Sequence, residues 1–179
     1  IVGKNGSGKT TLLRIMSGLI KPDMGEIIYC GKTTKGNSKL FRKHCGYVPQ
    51  ENPLFGNLTV LDNLKLWYCD SPHNLKDDIE NGLISEYGLN QYLKEKVSHL
   101  SGGMKKRLSI ACALAKDPKI LILDEPGASL DIIAKNDIIN YMKKESKNTF
   151  FGVFCYMKIL NSCENLILKR REKHMPEFK

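Results

Sequence analysis

Apolar positions along the chain switch repeatedly between helical and strand-like spacing. Leu12, Leu13, Met16 and Leu19 predict a helix from Lys9 to Leu19, ended by Gly18 and Pro22. Gly25 to Tyr29 reads as a strand with a turn near Gly31, and Tyr47-Val48-Pro49 as a short strand that Pro49 terminates. From Asn52 to Ala115 the spacing is helical. Thr59, with Asp62 three residues on, caps a helix carrying Leu61, Leu64 and Trp67 as far as Ser71-Pro72. Leu75, Ile79, Leu83 and Tyr87 form the stripe of a second helix closed by Gly88, and Met104, Leu108, Ala111 and Ala115 that of a third, from Gly103 to Ala115. Lys119 to Leu123 returns to strand, followed by a helix from Ile132 to Lys144 and strands near Phe150 to Phe154 and Asn165 to Leu168. Strands separated by helices predict an α/β fold with a mainly parallel sheet, in which residues 52–115 form a helical insertion.

Length and composition narrow this only slightly. A chain of 179 residues with 41% hydrophobic and 26% charged residues suits one soluble domain with its own core. The longest apolar run, Phe150 to Met157, is far shorter than the roughly 20 residues a membrane helix needs, so membrane work would require a partner chain or another segment. Ile1-Val2-Gly3 has no basic region or cleavage signal, and Ile1-Val2 reads as the end of a buried strand whose start is missing. The six cysteines form no C-x-x-C pair and several lie in apolar segments, as reduced cytoplasmic thiols do. A net charge of +9 would suit an anionic partner. The lysines are scattered, however, and the dense cluster Lys169-Arg170-Arg171-Glu172-Lys173 lies at the C-terminal end without interleaved aromatics, so no nucleic acid is expected.

The chemistry begins at Gly3-Lys4-Asn5-Gly6-Ser7-Gly8-Lys9-Thr10, a G-x-x-x-x-G-K-T run between strand residues and a helix. Glycines let backbone N–H groups approach phosphate oxygens, and the helix that follows directs its positive end at the same anion. Lys9 would neutralise the β- and γ-phosphates, and the Thr10 hydroxyl, next to Thr11, would ligate Mg²⁺. Ile120-Leu121-Ile122-Leu123-Asp124-Glu125 reads as an interior parallel strand ending in two acids at the sheet edge where ligands bind. Asp124 would hold the cation, and Glu125 would polarise the attacking water as general base. Together the two motifs predict a P-loop nucleotide-binding protein.

Leu100-Ser101-Gly102-Gly103-Met104, just before a helix, resembles the signature motif of the ATP-binding-cassette (ABC) family. Other landmarks follow the family's order: Gln50 matches its Mg²⁺- and water-sensing glutamine, and Ser129-Leu130-Asp131 the loop that touches the partner protomer. The resemblance covers essentially the whole chain. It implies a P-loop NTPase domain with a helical insertion, lacking most of its first strands, that binds ATP and Mg²⁺. ATP would close two such domains head to tail, with Ser101, Gly102 and Gly103 of one reaching the γ-phosphate held by Gly3, Asn5, Gly6, Ser7, Gly8, Lys9, Thr10 and Thr11 of the other. Glu125 and Gln50 would be catalytic, with Thr10, Gln50 and Asp124 at the metal. A separate permease would hold the domain at the cytoplasmic face of the membrane, gripped near Leu54, Phe55 and Trp67, although Trp67 also suits the core.

Three departures qualify the resemblance. Met104-Lys105-Lys106-Arg107 replaces the Gln or Glu of many importers and looks like the exporter branch. Ser129 stands where glycine is common. Cys155 stands where the family places a switch histidine at the end of a strand, and a thiol cannot bridge phosphate and water as an imidazole does. The main expectation is therefore the ATPase of an exporter. The alternatives are a nucleotide-gated, catalytically impaired module and a non-transport member of the family.

Overall fold

The computed structural model describes residues 1, 6–29, 32–33, 44–124 and 150–155. Helix α1 (Lys9–Met16) is followed by a short antiparallel pair, β1 (Ile28–Tyr29) and β2 (Lys32–Thr33), and then by β3 (Cys45–Val48). The helical region comprises α2 (Val60–Tyr68), α3 (Leu75–Glu80), α4 (Leu83–Glu86), two 3₁₀ turns (Asn90–Tyr92 and Val97–His99) and α5 (Gly102–Leu114). Strands β4 (Ile120–Asp124) and β5 (Phe150–Cys155) complete the described elements.

Among the described residues the larger sheet is parallel, in the order β3-β4-β5. β4 is buried on both faces, which is why it reads as an unbroken aliphatic run. Alternation along the strand divides its side chains between two layers. Leu121 and Leu123 join the large core built from α2 to α5, whereas Ile122 packs with Leu13 of α1 on the opposite face. β3 obeys the same rule: Val48 belongs to the large core, while Cys45 and Tyr47 pack against the Leu13 and Ile122 cluster. Gly46 allows α5 its close approach, because a Cβ there would lie 3.0 Å from Ala113 O, Leu121 Cδ1 and Pro118 Cγ.

The helical region between β3 and β4 departs from the sequence reading at one point. The stripe of Leu75, Ile79, Leu83 and Tyr87 is carried by two short helices, α3 and α4, broken at Asn81-Gly82. Glycine permits the tight junction at this break, since a Cβ on residue 82 would meet Asp78 Cα at 2.9 Å. The Thr59 cap forms as expected, its hydroxyl accepting from Asp62 N–H at 3.1 Å, and Gly88 closes α4 with φ of 66°. The strand at 25–29 is shorter than expected, spanning Ile28–Tyr29. The expected turn at Gly31, helix at 132–144 and strand at 165–168 lie outside the described residues, as does Val2.

Candidate functional site

Three elements bring the chemistry together at the C-terminal edge of the sheet. The loop before α1 turns through Gly6 and Gly8, whose φ values of 80° and 84° lie in the left-handed region, while a Cβ at either would meet nothing within 4 Å. Glycine is required there by backbone conformation rather than by space. Helix α1 then starts at Lys9 with no side-chain cap and no acidic residue in its first turn, leaving its positive end suited to an anion. Ser7 and Thr11 are exposed, and Lys9 and Thr10 half-buried. Gly3, Asn5, Glu125, Ser129 and Asp131 lie outside the described residues.

Asp124 ends β4 on the same face as Ile122, which points it toward the start of α1. Its carboxylate is 1% exposed, and both of its oxygens are engaged. The Thr10 hydroxyl donates to Oδ1 at 3.2 Å and the Tyr47 phenol to Oδ2 at 3.3 Å. Burial, then the charge of Asp124, raises the phenol's pKa above its ordinary value. Tyr47 therefore stays a neutral donor.

The residues fit a magnesium ion. Two oxygens on adjacent corners of an octahedron with bonds of about 2.1 Å lie roughly 3 Å apart. Thr10 Oγ1 and Asp124 Oδ1 are 3.2 Å apart. Among the described residues no group of three or more His, Cys, Asp or Glu side chains gathers as a metal cage. A cation here would take this oxygen pair from the described protein and complete its shell with phosphate and water.

Gln50 follows β3 and is exposed, its carbonyl oxygen accepting from Lys106 Nζ at 3.3 Å while Pro49 O accepts from the same ammonium at 2.8 Å. Lys106 is 4% exposed and sits on α5, so one buried cation ties the Gln50 turn to the helix that begins with the Ser-Gly-Gly motif. Burial lowers its pKa to about 8, against the opposing attraction of Asp124. Ser101 caps α5 by accepting from Met104 N–H at 3.3 Å. Ser101 and Gly102 are exposed at that helix start, with Leu100 buried beneath them.

Sequence reasoning named Thr10 and Asp124, which the structure joins, but missed Tyr47 and Lys106. Lys106 is hidden in a Lys-Lys-Arg run that looks solvated. The usable signal was the run Leu108-Ser109-Ile110-Ala111-Cys112-Ala113-Leu114, apolar or small around the whole circumference of a helix, and the structure buries all seven. Near the insertion, Phe55 is 58% exposed, whereas Leu54 and Trp67 pack against the core. Buried Asn63 fixes the Phe55 loop by accepting from Phe55 N–H at 2.9 Å and donating to Phe55 O at 3.1 Å and Thr59 O at 2.9 Å.

Comparison with known proteins agrees with this architecture. The family profile described as "ABC transporter" matches residues 1–128. Over 151 residues the chain is 36% identical to "ABC transporter ced-7" of Caenorhabditis elegans, covering 83% of this chain but 9% of the worm protein. It is 31% identical over 175 residues to "ABC transporter ATP-binding protein NatA" of Bacillus subtilis strain 168, covering 94% of this chain and 71% of that one. The solved dimer of "the ATP-binding cassette MJ0796 bound to ADP and Pi", in a post-hydrolysis state, superposes with a TM-score of 0.76 and 28% identity, covering 88% of this chain and 73% of that chain. The chain thus belongs to the ABC transporter family, and its fold is that of the family's P-loop ATPase domain.

Proposed function

We propose that this chain is the ATP-binding and hydrolysing domain of an ABC exporter, acting as a head-to-tail pair beneath a membrane-spanning permease. The observation that carries the reading is the convergence of the Gly6–Thr10 turn with buried Asp124, Thr10 Oγ1 lying 3.2 Å from Oδ1 at the sheet edge. Lys9 and the amides at the start of α1 bind the phosphates, and the exposed Ser101-Gly102 helix start of a second copy closes over them. Bound magnesium would neutralise charge on the phosphate oxygens and orient them for in-line attack. Glu125, which follows Asp124 in sequence, polarises the water. The export direction rests on Met104-Lys105-Lys106-Arg107.

A second reading, a nucleotide-gated domain with little turnover, has its own support. The backbone of Cys155 pairs with Asp124 across β4 and β5, so a thiol-bearing residue ends the strand beside the magnesium carboxylate. Phosphate release from Mg·ATP, with Lys9→Ala as the blank, separates the two readings. Turnover at least roughly tenfold above the blank supports the motor. Binding without turnover, together with turnover gained in Cys155→His, supports the gated domain.

Docking of the permease is assigned to the displayed Phe55 loop. Phe55→Ala is expected to leave phosphate release by the isolated domain within about twofold of the starting protein, since an exposed side chain contributes little to the fold. In the assembled transporter the same change should lower substrate-stimulated turnover severalfold. Unchanged stimulation would place the permease elsewhere.

A further inference from the structure

The Tyr47 phenol reaches from β3 to the carboxylate that ends β4. An ionised carboxylate can only accept, so the phenol proton is directed at Asp124 Oδ2, 3.3 Å away. The ring is also packed against the Leu13 and Ile122 cluster, which limits how far the hydroxyl can follow a turning carboxylate. Asp124 is thus held at Oδ2 by a group from β3, while Oδ1 faces the Thr10 hydroxyl.

From this geometry we infer that Tyr47 is a positioning residue for metal binding. It pins Oδ2 so that Oδ1 and Thr10 Oγ1 are presented together to the divalent cation that accompanies the nucleoside triphosphate. The inference rests on the reading of Asp124 as a magnesium ligand. Removing the phenol proton donor takes away the described hydrogen bond at Oδ2, and the carboxylate is then freer to rotate out of line with Thr10 Oγ1. Outer hydrogen-bond partners of metal ligands commonly change metal affinity by about ten- to a hundredfold.

The test compares Tyr47→Phe with the unaltered protein, because the substitution keeps the ring and its packing. A non-hydrolysable ATP analogue is titrated once with magnesium and once with EDTA. The expected result is equal affinity for both proteins in EDTA and, in Tyr47→Phe, loss of roughly tenfold of the tightening that magnesium gives the unaltered protein. Equal tightening in both proteins would overturn the role of Tyr47 and leave the Asp124 reading intact. Equal weakening with and without magnesium would also overturn it, making Tyr47 a packing residue. An unaltered protein that gains nothing from magnesium would remove the Asp124 reading and this inference with it.

Discussion

Asp124→Asn is expected to abolish magnesium-dependent phosphate release, lowering it by roughly 10²-fold or more, to the level of Lys9→Ala. The size follows from the charge removed: a metal-held phosphate oxygen contributes several kcal/mol to transition-state stabilisation, and about 3 kcal/mol corresponds to roughly 10²-fold in rate. The fold should survive. Asparagine has the shape of aspartate, its Oδ1 still accepts from Thr10, and its amide replaces Oδ2 by donating to the Tyr47 oxygen, reversing that bond. Far-ultraviolet circular dichroism and a thermal melt check the fold, and a coupled phosphate assay checks the rate. Turnover within threefold of the unaltered protein would show that Asp124 does not carry the cation. The experiment requires measurable turnover in the parent. If Cys155 suppresses it, the comparison is made in the Cys155→His background.

The parts of this site that could be read from the sequence were those where one residue type answers one physical demand. Gly6 and Gly8 adopt positive φ, and the motif marks them because only glycine does so without strain. The four aliphatic residues before Asp124 identified an interior strand because β4 is covered on both faces, by α1 and by α5. The break within residues 75–87 was not readable in this way. The apolar stripe continues across Gly82, and only the fold shows how closely the chain there approaches Asp78, leaving no room for a Cβ. Tyr47 and Lys106 escaped for a related reason. Each acts through a partner distant in sequence, Asp124 or the Pro49 and Gln50 carbonyls, and neither residue type at its position specifies that partner. Local periodicity locates elements, but a polar contact between elements depends on how they stack.

Lys106 gives the second large effect, a rise in stability with pH. The ordinary lysine value is 10.5, which the unfolded chain retains, and in the fold burial lowers it to about 8. Below pH 8 both states carry the charge and the folded state bears its full desolvation cost. Between about 8 and 10.5 the unfolded chain binds more protons than the folded one, so folding strengthens as pH rises. The difference of two to three pH units sets an upper limit of about 3 kcal/mol, reduced to the extent that water screens the ammonium. The neutral amine still has two hydrogens to donate to Pro49 O and Gln50 O, so the tie to the Gln50 turn need not be lost with the charge. Lys106→Met is the reference, because it keeps the buried stem and has nothing to titrate. The measurement is urea unfolding of both proteins from pH 7 to 10, where their other titrating groups largely cancel. The stability of the unaltered protein relative to Lys106→Met should climb by about 1–3 kcal/mol across that range. A flat difference would mean that the ammonium reaches water and keeps its ordinary value. Asp124 supplies an internal check. Its charge opposes the effect of burial, so the rise should begin at a lower pH in Asp124→Asn than in the parent.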